Sequence, residues 1–241
     1  MRRYFETTRS RAYSLLFALP LLLLYEVGAA LIQDRHGLRN GADVLLRTLL
    51  SAGGLRGTMA FAGLLLLVGA ALVVHERRHR RVPLHRAYFA GMLAESTVYA
   101  LCFGFVIAVA THLLLGGFVR VAADGGVSRL PVLDGIVLSL GAGIYEELLF
   151  RVLLTGGLLA LLLAFRVRRG TAAAVAVLVS ALVFSAFHYV GPYAYPLEVG
   201  SFTFRFLAGV AFSGLYVWRG LGIAAWTHAL YDVFLVLAGR G

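Results

Sequence analysis

Polar and apolar positions along the chain do not alternate at a strand's period, and few apolar stretches carry the one-sided stripe of a soluble helix. The chain instead reads as long, almost unbroken apolar runs separated by short polar clusters. A helix needs about 20 apolar residues to cross the hydrocarbon. Seven runs meet that length approximately: Tyr13 to Ile32, Thr58 to Val74, Tyr88 to Gly116, Pro131 to Phe165, Thr171 to Tyr189, Phe202 to Trp218 and Leu221 to Ala238. The predicted fold is all-α, a polytopic integral membrane protein of about seven transmembrane helices forming a single domain over residues 1–241. Between the first two runs, Leu38 to Ala52 carries Arg39, Asp43 and Arg47 at i+4 spacing with leucines between, which predicts an amphipathic helix at the interface. The fourth run is long enough for two helices, with Gly141 and Gly143 or Gly156 and Gly157 as breaks.

Composition agrees with this pattern. Of 241 residues, 60% are hydrophobic and only 14% charged, against about 25% charged in soluble domains, and the mean hydropathy is +0.85. A single cysteine, Cys102, excludes a disulfide scaffold. The net charge of +10 comes entirely from arginine on the basic side. These arginines cluster between apolar runs, as in loops that hold membrane topology and meet anionic headgroups, and no base-stacking platform or recognition helix accompanies them. A nucleic-acid partner is therefore not expected, and the bilayer is. Clusters at Arg2, Arg3, Arg9 and Arg11, at Arg77 to Arg86, and at Arg166 to Arg169 fall on one side of a seven-span arrangement. This predicts a cytoplasmic N-terminus and an external C-terminus. The first apolar run exceeds a signal-peptide core and reads as an uncleaved anchor. A compact chain without eukaryotic targeting features points to a bacterial inner membrane.

Ionisable residues inside spans are functional candidates because each is costly there. The fourth run holds Glu146, Glu147 and Arg151. On a helix Glu147 and Arg151 share a face at i, i+4 and neutralise one another, while Glu146 points elsewhere and is left for chemistry. The same three residues would equally make one buried charge network. The fifth run ends with Phe184 and His188, and the seventh holds His228 and Asp232, again at i, i+4. A glutamate beside a histidine can hold and deprotonate a water, and a second histidine can orient a carbonyl or stabilise its oxyanion. A glutamate and two histidines are also a zinc-ligand set, but HExxH is absent and the three lie far apart in sequence, so no metal or other cofactor is expected. Glu26 and Glu95, in the first and third spans, read as interior partners for arginine or histidine. The alternative class is a non-enzymatic membrane protein: a proton-coupled transporter, or an immunity or scaffold protein. A transporter should show inverted repeats or paired broken helices, and the sequence shows neither.

Taken in order, Glu146-Glu147-x-x-x-Arg151, Phe184-x-x-x-His188 and His228-x-x-x-Asp232 resemble the three motifs of the CAAX protease and bacteriocin-processing enzyme family of intramembrane proteases. The similarity covers residues 131–238, the motif-bearing catalytic core. It includes Gly209, Gly214, Tyr216 and Arg219-Gly220 on the approach to the last motif. The resemblance implies an intramembrane endopeptidase with its active site within the helix bundle, acting on a membrane-anchored or lipidated protein, near its C-terminus or at a sorting signal. It implies that Glu146 and His188 activate the attacking water, that His228 with Asp232 stabilises the oxyanion, and that Glu147, Arg151 and Phe184 support them. The family is often labelled a metalloprotease, although the implied mechanism is glutamate-based and requires no metal. The family's last motif commonly ends in Asn. Asp232 donates a hydrogen bond only when protonated; as a carboxylate its expected role is to orient His228. Counting rise per residue from the arginines near Arg166 places Glu146 and His188 at similar depth toward the outer leaflet. That predicts an outward-facing site with Gly191 to Pro196 as rim or interfacial belt. Nothing in these motifs selects a monomer or an oligomer.

Overall fold

The computed structural model describes residues 2–36, 38–54, 58–80, 83–116, 130–191, 194 and 196–239. Among them every regular element is helical. In chain order these are α1 (Arg2–Thr8), α2 (Arg11–His36), α3 (Gly41–Ala52), α4 (Thr58–Arg80), α5 (Arg86–Leu115), α6 (Val132–Gly141), π1 (Ala142–Thr155), α7 (Gly156–Ala164), α8 (Arg169–Phe187), α9 (Val199–Arg219) and α10 (Leu221–Ala238). Five helical stretches are long and apolar enough to cross a membrane: Arg11–Ile32, Arg86–Leu115, Val132–Ala164, Arg169–Phe187 and Leu221–Ala238. The expected spans in α4 and α9 are helical, but they do not reach that mark among the described residues. Leu31, Leu67, Phe105 and Leu113 stand exposed on the outside of the bundle. An apolar exterior of this kind has hydrocarbon, not water, as its solvent, and the chain is a multi-pass membrane protein.

The fourth run is one continuous span whose helical winding changes. Its middle, Ala142–Thr155, is π-helical, and the changes fall at Gly141 and Gly156, the positions where the sequence offers a break. The run bends its hydrogen-bond register there without ending, since an interrupted backbone in hydrocarbon would strand polar groups. π-Helical winding spreads successive side chains differently from α-winding. In this segment Tyr145, Glu146, Glu147, Phe150 and Arg151 are all buried.

Helix α10 is central, packing against α2, α5, α6, π1 and α9. Small residues permit this. A Cβ on Gly143 would lie 2.5 Å from the Cβ of Ala229 and 2.6 Å from the carbonyl oxygen of Ala225, so π1 and α10 touch backbone to backbone there. The turn from α9 into α10 is Gly220 alone, at φ +88°, and Gly222 N–H donates to Ser14 Oγ at 2.7 Å, seating the start of α10 on α2.

Helix α3 is amphipathic in an unusual sense. It leaves Val44 and Leu49 exposed and buries Ala42, Asp43 and Leu46. Asp43 accepts from Arg39 at 2.7 Å, from Arg47, and from the Tyr25 hydroxyl at 2.8 Å. Arg47 continues to Glu26 at 2.6 Å, and the Tyr145 hydroxyl also donates to Glu26. On the other side, Arg219 grips both oxygens of Glu95 at 2.6 and 2.8 Å, and Tyr4 and Tyr99 donate to the same carboxylate. Glu26 and Glu95 thus pair with arginines, as their positions predict, and each pairing ties distant segments of the chain together.

The close contact at Gly143 is expected to tolerate no side chain. Gly143→Ala should lower stability by about 3 kcal/mol, the upper end of ordinary overpacking, because the obstacle is partly the α10 backbone. Thermal unfolding in detergent, compared with Gly157→Ala, where a Cβ meets nothing within 4 Å, is the check.

Candidate active site

Three elements bring the motif residues together. From π1 come Glu146, Glu147 and Arg151; from the end of α8, Phe184 and His188; from α10, His228 and Asp232. The Gly143 contact sets π1 against α10 one turn from the glutamates, so that His228 Nδ1 lies 2.8 Å from Glu147 Oε1. A carboxylate only accepts, so Nδ1 carries the proton and the ring's other nitrogen, Nε2, faces Asp232 Oδ2 at 3.5 Å. The i, i+4 spacing of the last motif therefore does what it predicts.

Glu147 is fully buried and serves two partners. Arg151 Nη1 lies 3.1 Å from the same Oε1 that His228 uses. The expected neutralisation of Glu147 by Arg151 is present, and the histidine shares it. Arg151 is also fully buried, with its guanidinium 4.4 Å from the Phe184 ring centre and 5.3 Å from that of Phe212. The two ring faces stand where water would otherwise solvate the cation, a substitution that counts most in a desolvated site. Phe212 additionally stacks on His228, with centroids 4.5 Å apart. Phe184 meets His188 edge-on at 4.8 Å. The motif phenylalanine is thus the wall between the arginine and the first histidine.

His188 is held by its own helix. Its Nδ1 lies 2.8 Å from the carbonyl oxygen of Phe184. A carbonyl oxygen can only accept, so Nδ1 donates and carries the proton. The charge of Glu146 acts on His188, on His228 and on Asp232, which makes the four groups one electrostatic cluster. Glu146 itself is buried. Its Oε1 accepts from Asn40 Nδ2 at 3.0 Å, while its Oε2 has no hydrogen-bond partner among the described residues. The two glutamates of the pair differ in what holds them: Glu147 Oε1 serves a histidine and an arginine, Glu146 Oε1 an uncharged amide, and the Oε2 of each has no hydrogen-bond partner among the described residues.

Two participants escape sequence reasoning. Asn40 lies in the connection between α2 and α3, 106 residues from its partner. An Asn before Gly-Ala-Asp signals a helix start, and that signal says nothing of a contact with π1. Arg205, on α9, donates to Ser201 Oγ and lies 3.3 Å from the Tyr189 hydroxyl, and its charge acts on His188 and Asp232. It sits in the apolar run Phe202 to Trp218 without a motif to mark it. Of the segment Gly191 to Pro196, Pro192, Tyr193 and Tyr195 lie outside the described residues. Among the described residues no three His, Cys, Asp or Glu side chains converge as a metal-binding group would need.

Residues 128–234 match the family model described as type II CAAX prenyl endopeptidase Rce1-like. The matched stretch begins just before α6 and ends in α10, so it contains all three motifs and the whole cluster described above. No curated protein and no solved structure matches the chain. Fold alone would not fix a function. Here the family match and the convergent motif residues fall on the same segment: the part of this membrane protein that runs from α6 into α10 is similar to the Rce1-like type II CAAX prenyl endopeptidases.

Proposed function

We propose that the protein hydrolyses a peptide bond of a membrane-anchored or lipidated protein near its C-terminus, by attack of a water activated by Glu146 and His188. The observation that carries this reading is the asymmetry of Glu146: one oxygen held, the other buried and open within a cluster of two histidines and an aspartate. A water between Glu146 Oε2 and His188 Nε2 would give its proton to the carboxylate as its oxygen bonds to the scissile carbonyl carbon. The negative charge that develops on the carbonyl oxygen is then met by the Nε2–H of a protonated His228, whose ring Glu147 orients from Nδ1. Collapse of the tetrahedral intermediate breaks the C–N bond, and the proton held by Glu146 passes to the leaving amine. The products are a carboxylate and an amine, and no oxidant or metal enters.

In this scheme Asp232, as a carboxylate, acts through His228. Arg151 acts through Glu147, holding in place a carboxylate that has no solvent beside it. The lipid-facing exterior supports a substrate that arrives within the bilayer, and the arginine clusters support a cytoplasmic N-terminus in a bacterial inner membrane.

With purified protein in lipid vesicles and a farnesylated CAAX peptide, Glu146→Ala and His188→Ala are each expected to lower cleavage by a factor of at least about 100, with thermal unfolding close to that of the original chain. Mass spectrometry of the released tripeptide reads the result, and turnover by Glu146→Ala at the original rate would overturn the mechanism. A zinc chelator is expected to leave the rate unchanged. Arg151→Ala should behave differently, losing about 3–5 kcal/mol of stability because it leaves Glu147 as a buried charge. A lowered unfolding midpoint in detergent, recovered in part when Glu147 is also replaced by Gln, is the signature.

A further inference from the structure

Glu146 is held from outside the family-matched segment, by a residue of the N-terminal half of the chain. Asn40 is the N-cap of α3: its Oδ1 accepts the backbone N–H of Ala42 at 2.9 Å, and its Nδ2 donates to Glu146 Oε1 at 3.0 Å. The first bond fixes the sense of the second. With the amide turned over, an NH2 would face the Ala42 N–H and an oxygen would face a carboxylate, both repulsive. The Asn40 backbone N–H donates to the Tyr25 hydroxyl at 3.2 Å, and that hydroxyl donates to Asp43. Asp43 is clamped by Arg39 and Arg47, Arg47 by Glu26, and Glu26 receives the hydroxyl of Tyr145, the residue just before Glu146. The N-terminal half therefore grips π1 at two consecutive residues, once through Glu26 to Tyr145 and once through Asn40 to Glu146.

We propose that Asn40 is a positioning residue of the hydrolysis, whose side-chain N–H holds Oε1 of Glu146 so that Oε2 is aimed at the attacking water. The assignment rests on Glu146 being the base of the proposed function. The charge of Glu146 reaches Arg151 on its own helix, His188 at the end of α8, and His228 and Asp232 on α10, and Asn40 gives it a direct hydrogen bond.

Two substitutions separate capping from positioning, since Ser and Asp both cap a helix well. Asn40→Ser keeps the cap and removes the donor to Glu146. Asn40→Asp keeps the cap and puts a second carboxylate where the donor was. Both are assayed beside Glu146→Ala on the farnesylated peptide in vesicles, with kcat, KM and the thermal unfolding midpoint measured. The expected result is a fall in kcat of about ten-fold for Asn40→Ser and more for Asn40→Asp, with KM and the unfolding midpoint nearly unchanged. Asn40→Ser with kcat at the original value, or with a fall in activity that only follows its unfolding midpoint, overturns the proposal. If Glu146→Ala itself still cleaves, the base assignment fails instead, and that outcome is read independently of either Asn40 variant.

Discussion

An ionised side chain in a bundle solvated by hydrocarbon has no water to fall back on, so every buried charge must be answered by another part of the same chain. Most of the tertiary organisation follows from that requirement. Glu95 is answered by Arg219 and two tyrosines, which fastens α5 to the α9–α10 corner, with Tyr4 reaching in from α1. Glu26 and Asp43 are answered by Arg39 and Arg47, which fastens α3 between α2 and π1. Glu147 is answered by Arg151 and His228, which fastens π1 to α10. Apolar contact among lipid-facing helices is a weak guide to which helix meets which, since lipid tails are as apolar as leucine. These charge pairings supply the register that packing alone would leave loose.

The site is the place where the answer is incomplete. Glu146 has one oxygen held by an amide and one open, whereas its neighbour Glu147 has one oxygen shared by a histidine and an arginine. Adjacent identical residues acquire different chemistry because π1 sends one toward α10 and the other toward the α2–α3 connection. The aromatic rings complete the division: Phe184 and Phe212 enclose Arg151 and bound the two histidines, so the cation is held on the Glu147 side. A preorganised arrangement of this kind lowers a barrier by having its dipoles in place before charge develops.

Much of this was legible in the sequence, and the reasons for the remainder are physical. Apolar run length marks the spans because hydrocarbon thickness is a fixed ruler, and the i, i+4 pairs Glu147–Arg151 and His228–Asp232 mark their partners because helical spacing is local. Gly143 and Gly156 signal a change in the fourth run, but composition cannot distinguish a broken helix from one rewound to π geometry, since both use small residues. Arg39, Asp43 and Arg47 read as the wet face of an interfacial helix. The opposite holds for Asp43, which is fully buried and accepts from the Tyr25 hydroxyl on another helix as well as from its two arginines, and no local pattern records what lies across a helix interface. Asn40 is hidden for the same reason: its cap is local and legible, while its bond to Glu146 spans 106 residues.

The division between what is local and what is not also coincides with the limit of the family match, which begins at residue 128. Within that stretch lie the groups that would touch the reacting atoms. Outside it lie Glu26 and Asn40, which touch none of them and yet reach Tyr145 and Glu146 directly. A catalytic carboxylate needs both identity and aim. The motif supplies the identity, whereas aim depends on whatever element happens to pack over π1, and any capped helix end that presents an amide donor at that spot would serve.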